Sequence, residues 1–508
     1  MPRDTVLAND SRYRGLISGA NTRWVGSPDF VRLVASAEEV EEAVQDAVDR
    51  GLRFTVRSGG HCDENFTTTG DIQVVINLAA LDSVHYDEER RAFAVEPGAS
   101  LGRVYETLYR GWGVTLPGGT CPTVGAGGHI VGGGYGALSR LHGLTVDHLE
   151  AVEVVVVDEN GRCRRVVAGR DPDDPHHDLW WAHTGAGGGT FGVVTKYWLR
   201  TPGTASAPPH QQLPAPPQQV IVSDVAWSWD DLTEATFTAL VRNFSAWHEA
   251  NSAPGSPGAG LYSQLKTQHR SAGSFRMSTQ VDAGLPGANE KLDAFLAAVN
   301  EGTGLTYTVN DRSVLPWFYT VREWFGFVEP SLPRWKAKSS YLRRAVPDDQ
   351  LAAMYRQLTR DDYDNPFSMI ALVSYGGRIN AVGASETAVA QRDSVVKLLF
   401  VTLWTDPTHD ERHDRWIREC YADVYASSGG VPAPNDVTDG CFINYADADV
   451  ADPALNRSGT AWHELYFKHN YARLQEVKKR WDPRGEFRHA LSVRPALAPA
   501  PTPEDRPT

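Results

Sequence analysis

Apolar positions in the first two hundred residues alternate between two spacings. In residues 36–50 (SAEEVEEAVQDAVDR), Val40, Ala43 and Val44 recur at helical spacing. Ser36 can cap that helix, Glu39 follows three positions later, and Gly51 ends it. Phe54–Arg57 reads as a short strand running into Ser58-Gly59-Gly60, and residues 74–78 as another. Residues 93–96 form a strand that stops at Pro97-Gly98, and Leu101–Trp112 is helical again. The β-branched run 152–157 predicts a buried strand, and Asp158-Glu159-Asn160-Gly161 after it predicts a hairpin turn.

The texture changes at residues 201–219 (TPGTASAPPHQQLPAPPQQ), which read as a linker or an extended crossing segment. Beyond it the chain is rich in aromatics, notably Trp317-Phe318-Tyr319 and Trp324-Phe325-Gly326-Phe327, with a helix over 290–299. A second amphipathic helix spans 470–480 and ends at Asp482-Pro483. The Pro-, Ala- and Thr-rich tail predicts disorder, and no internal repeat is seen.

At 508 residues the chain has room for about three domains, or two large ones. Apolar residues make up 41% and charged residues 22%, the balance of a globular chain. The net charge of −14 argues against a nucleic-acid partner. No apolar run approaches the ~20 residues that span a bilayer, so no membrane partner is expected. The N-terminus, Met1-Pro2-Arg3-Asp4-Thr5, has no apolar signal core behind it, which predicts a cytoplasmic protein. Cys62, Cys121, Cys163, Cys420 and Cys441 are too few for a disulfide scaffold, and none sits at CxxC spacing, so no metal is expected.

Three glycine-rich stretches carry the candidate chemistry: RSGGH (57–61), PGGTCPTVGAGGHIVGGGYG (117–136) and GAGGGTFGVV (185–194). Dense glycine lets backbone approach a ligand closely and aim N–H groups at it, as a pyrophosphate cradle requires. The context is not strand–GxGxxG–helix, so a Rossmann reading with a nicotinamide cofactor is the weaker alternative. The first two stretches display one nucleophile each, His61 and Cys121. Cys62 also follows His61, but Cys121 has the better context.

These stretches, with INYADAD (443–449) and the C-terminal YFKHNYARLQEVKKRWDPRGEFRHALSV, follow a familiar order over nearly the whole chain. The sequence resembles the vanillyl-alcohol-oxidase and p-cresol-methylhydroxylase superfamily. Within it the resemblance is to berberine-bridge-enzyme-like oxidases with a doubly attached flavin. The HCDEN, TCP and SYGG segments look most like bacterial tailoring oxidases of the aclacinomycin-oxidoreductase type. The resemblance implies an α+β fold. A two-part FAD-binding domain of the p-cresol-methylhydroxylase type would comprise 1–205 and a returning segment, 440–495. Residues 206–439 would form a substrate domain with an antiparallel sheet covered by helices, and 496–508 a disordered tail.

The same resemblance implies FAD covalently attached through His61, at the 8α-methyl, and Cys121, at C6. Ser58, Gly59, Gly60, Gly125, Gly128, Gly132 and Gly133 would hold its ADP and ribityl parts, and Gly192 and Val194 its adenine side. Arg57, Thr120, His129, Gly134 and Asn444 complete the implied cofactor set. Val124 would leave room for dioxygen beside the ring. Tyr445 matches the family's general base, Tyr375 its hydrogen-bonding partner, and Tyr135 a third candidate near the ring. A phenol titrates near ~10, so such a base needs a depressed pKa or concerted proton transfer. No glutamate in 376–393 matches the plant alkaloid members' base, which favours alcohol oxidation over ring closure.

The implied activity takes hydride from an alcohol carbon of a bulky, glycosylated or polyketide-type metabolite and passes electrons to O2, giving H2O2. A carbohydrate oxidase is the alternative within the class, and a non-catalytic flavin-binding protein the alternative outside it. A bacterial origin and a monomer or homodimer are expected. His409 and His413 stand at i, i+4 within charged neighbours, which predicts a solvated helix face, and 171–178 (DPDDPHHD) reads as a polar loop.

Overall fold

The computed structural model describes residues 5–324 and 333–496. Phe325, Gly326 and Phe327 of the aromatic cluster, and the tail from 497 on, lie outside the described residues.

The N-terminal region builds two sheets. The first has four strands in the order Thr5–Leu7, Phe30–Leu33, Val74–Asn77 and Phe54–Arg57, and its last three are parallel. Helix Ala37–Asp49 crosses beside it, starting where the pattern predicts. The Ser36 side chain accepts from Glu39 N–H and the Glu39 carboxylate accepts from Ala35 N–H, so two terminal donors are satisfied. The second sheet has five antiparallel strands: Val84–Asp87, Ala92–Val95, Val193–Leu199, Leu149–Val157 and Cys163–Gly169. The Asn160-Gly161 signal forms the predicted hairpin, with Val157 paired to Cys163.

Residues 201–219 form a largely exposed connecting segment with a short 3-10 turn at Pro209–Gln211, anchored at one point. Gln212 and Leu213 are buried, Thr201 N–H donates to Gln212 O, and Thr115 N–H to Pro214 O. Beyond it lies a seven-stranded antiparallel sheet in the order Thr308–Pro316, Gln219–Ser228, Ser274–Asp282, Leu261–Gln268, Ser368–Ser374, Val396–Trp404 and Arg334–Leu342. Helices Glu234–Ala250, Ala288–Asn300, Asp348–Leu358 and Asp410–Val424 pack against it and one another. Period-two alternation divides its faces. On Leu261–Gln268, Ser263 meets His248 of a covering helix at 2.7 Å, while Tyr262 and Gln264 face the opposite way.

The C-terminal segment returns to the first region. Helix Tyr471–Trp481 packs on helix His177–Ala182, and Trp481 Nε1 donates to Asp178. Lys478 Nζ reaches Thr190 O, and Phe487 stands edge-on to Phe54 at 5.5 Å. Residues 171–178 are therefore more than a loop, since their last two open that helix. The 409–414 expectation changes too: His413 is buried, with Nδ1 2.7 Å from the Tyr363 hydroxyl, because this turn faces the sheet. Among the described residues no helix is long and apolar enough to cross a membrane.

A buried ionic cluster joins the three parts of the chain. Lys336 Nζ lies 2.9 Å from Glu64 and 3.2 Å from Asp447, and Lys338 Nζ lies 2.6 Å from Asp447 and 2.8 Å from Asp449. Arg418 closes it on Asp449 at 2.8 Å. Removing one partner of such a cluster strands a buried charge, at a cost of about 3–5 kcal/mol. Lys338→Met should therefore lower stability by about that amount in urea denaturation, and Lys338→Met/Asp447→Asn should recover part of it. Equal stability of the single and double variants would contradict this account of the junction.

Candidate functional site

Two glycine turns cross at the heart of the molecule. A Cβ on Gly59 would stand 2.3 Å from Gly125 N, and one on Gly60 (φ +72°) 2.6 Å from the Arg57 guanidinium. Only glycine lets these backbones meet. The crossing brings His61 beside Cys121 through a residue that the sequence alone did not single out. Thr123 Oγ1 is 3.0 Å from His61 Nε2 and 3.5 Å from Cys121 Sγ. Burial, and then Arg57, push the His61 pKa below the ordinary histidine value, which favours neutral imidazole. Burial pushes the Cys62 thiol up to about 12, so it stays protonated and unreactive.

The turns open onto a cleft of about 450 Å3, within the ~300–1,000 Å3 of an ordinary small-molecule pocket. Along its floor the backbone N–H groups of residues 58–61 and 188–191 have no acceptor among the described residues. The Thr190 hydroxyl is buried without a partner on the same floor. Gly187 and Gly189 adopt positive φ there, and His489, stacked on Phe66 at 4.3 Å, closes that end beside Gly188 O. Unpaired N–H groups on positive-φ glycines suit an anionic pyrophosphate, so this chain's residues fit a dinucleotide such as FAD.

The cleft is lined as well by Tyr262, Gln264, Trp335 and residues 442–446. Tyr135 stands beside Tyr445, and its interaction favours the Tyr445 phenolate. Burial nonetheless pushes the Tyr445 phenol up to about 12, and Tyr135 well above the ordinary tyrosine value. The expected depression of the base is thus absent without ligand, because desolvation outweighs that interaction. Tyr375, expected as its partner, is fully buried behind Tyr135, at 6.1 Å between rings, and its hydroxyl reaches Gln391 O at 3.4 Å.

Beneath this pair lies Lys397. Its Nζ has no hydrogen-bond partner and sits 3.2 Å from the Tyr135 ring centre and 3.3 Å from that of Phe442. Burial pushes its pKa well below the ordinary lysine value. The sequence did carry a signal, a lone cation inside the apolar strand Val396–Trp404.

The structure brings Arg57, Ser58, Gly59, Gly60, His61, Thr120, Cys121, Val124, Gly125, Gly128, His129, Tyr135, Gly192, Val194, Asn444 and Tyr445 to this one cleft. Gly132, Gly133 and Gly134 do not line it. Added Cβ atoms there would meet Asn444 Oδ1 at 1.9 Å, Val389 at 2.5 Å and His129 Nε2 at 2.1 Å, so these glycines serve packing. His129 Nε2 accepts from Gly119 N–H at 3.1 Å, and Asn444 donates to His129 O at 3.0 Å, which braces the Cys121 turn from behind. Of the tryptophans, Trp335 lines the cleft and donates to Asp63, whereas Trp317 is core.

Comparison with known proteins agrees with this geometry. Residues 28–166 match the family model described as an FAD binding domain, and residues 441–494 that described as berberine and berberine like. The aclacinomycin-N/aclacinomycin-A oxidase of Streptomyces galilaeus is 49% identical over 96% of this chain and 89% of that protein. The hexose oxidase of Chondrus crispus is 32% identical over 95% and 93%. The solved glycopeptide hexose oxidase complexed with teicoplanin superposes with a TM-score of 0.93, at 47% identity, over 97% of this chain and 98% of that one. The chain belongs to the berberine-bridge-enzyme-like family of FAD-linked oxidases, which act on hydroxyl groups with oxygen as acceptor.

Proposed function

We propose that this protein oxidises a sugar or carbinol hydroxyl on a bulky, glycosylated or polyketide-type metabolite, with FAD tethered to both His61 and Cys121. The observation that carries the reading is that Tyr445 and Tyr135 line the same cleft as the two nucleophile-bearing turns. When bound, FAD supplies the hydride acceptor and returns the electrons to dioxygen. The turns at 57–61 and 119–125 would hold it, its pyrophosphate against the unpaired N–H groups of the floor. Tyr445 accepts the hydroxyl proton as hydride leaves the same carbon. Tyr135 supports the resulting phenolate, and Tyr262, Gln264 and Trp335 position the substrate. The relatives named for aclacinomycin oxidation and for a glycopeptide favour a large substrate over a free hexose.

Anaerobic mixing with a glycosylated polyketide, a glycosylated peptide and free hexoses tests the substrate class through bleaching of the yellow absorbance, with peroxide measured under air. Remote contacts should give the large glycosides an advantage on the order of a hundredfold in kcat/KM. Equal turnover of free hexoses would replace this reading with the carbohydrate oxidase. For the base, Tyr445→Phe should slow bleaching by about 10²–10⁴-fold. With the phenol at about 12, its reactive form is scarce at neutral pH. The wild-type rate should therefore climb with pH into the alkaline range, and Tyr445→Phe should lose that slope. A slope that survives the substitution assigns the proton transfer elsewhere.

A further inference from the structure

We infer that Thr123 is the positioning residue for flavin attachment, one hydroxyl that sets which His61 nitrogen attacks and holds the Cys121 sulfur ready. The inference rests on the reading that His61 and Cys121 both carry the flavin.

Thr123 touches both nucleophiles at once, Nε2 of His61 at 3.0 Å and Sγ of Cys121 at 3.5 Å. A hydroxyl has one proton and two lone pairs, so it donates to one neighbour and accepts from the other. With Nε2–H donating to Oγ1, the imidazole proton is fixed on Nε2 and the lone pair lies on Nδ1, free to attack. The hydroxyl proton then points to Sγ and supports the developing thiolate. The opposite arrangement would place the imidazole proton on Nδ1 and remove its lone pair. Neutral imidazole, favoured by burial and by Arg57, is the form that this chemistry needs. Thr123 belongs to the same close crossing, since its carbonyl oxygen lies 3.2 Å from where a Gly59 Cβ would stand.

The steps balance as two oxidations by dioxygen. At His61 an Nδ1–C bond forms to the 8α carbon as one of its C–H bonds breaks, and the Nε2 proton leaves along the Thr123 hydrogen bond. At Cys121 an S–C6 bond forms as the S–H and C6–H bonds break. Each bond leaves two electrons and two protons on the ring, which dioxygen takes up as hydrogen peroxide, one molecule per bond.

The test uses full-length wild type and Thr123→Val, Thr123→Ser and Thr123→Ala. Thr123 is exposed, so these changes spare the core. Apoprotein is mixed with FAD in air. Bound FAD is read by absorbance before denaturation, and attached flavin is read on the His61 and Cys121 peptides by mass over time. Thr123→Val should bind FAD yet form both bonds on the order of a hundredfold more slowly, with Thr123→Ser close to wild type. Attachment in Thr123→Val within about twofold of wild type overturns the inference while leaving the tethered-flavin reading intact. If Thr123→Val fails to bind FAD, Ser against Ala decides, and equal rates overturn the inference. A wild type that forms neither bond removes the underlying reading as well.

Discussion

The structure turns on the close contact between Gly59 and Gly125. With no side chain on either residue, the RSGGH turn and the TCPTVG turn lie backbone to backbone, each within 2.4 Å of the other's would-be Cβ. This is a steric constraint with a chemical result. It sets an imidazole and a thiol on either side of one hydroxyl, and the N–H groups of 58–61, in the residues that line the cleft, have no acceptor among the described residues. A methyl group at either glycine would push the turns apart and separate groups that must act on one ring.

The wall around Tyr445 works by the opposite physics. Tyr445, Tyr135 and Lys397 are gathered where water is scarce, and burial drives both phenols up and the amine down. Burial thus biases each of the three toward its neutral form. Charge that develops there during reaction is felt strongly, since interactions weaken little in a low-dielectric wall. The wall stays in register through the buried cluster of Lys336, Lys338, Glu64, Asp447 and Asp449, which ties the C-terminal segment bearing Tyr445 to the sheet and to the loop after His61.

Much of the first region was legible because local rules decide it. The Ser36 cap, the 152–157 run and the Asn160-Gly161 turn each specify their element within a few residues. The nucleophiles were legible too, since Gly59-Gly60 before His61, and Gly118-Gly119 and Gly125 around Cys121, mark displayed backbone. What escaped depends on pairs distant in sequence. Thr123 reads as an ordinary turn residue until His61, 62 positions away, arrives beside it. Tyr135 and Tyr375 could not be ranked as partner of Tyr445 before the strands placed one in front of the other. Gly132, Gly133 and Gly134, implied as cofactor contacts by the resemblance, pack closely against Asn444, Val389 and His129. His413 read as solvated because its neighbours are charged, although its own face of the helix is covered.

The most direct measurement is the mass of proteolytic peptides from the wild-type protein purified out of a flavin-replete host. The account predicts a single flavin bridging the peptide with His61 and the peptide with Cys121. Both peptides at their unmodified masses, from a protein that loses its yellow colour on unfolding, would contradict it.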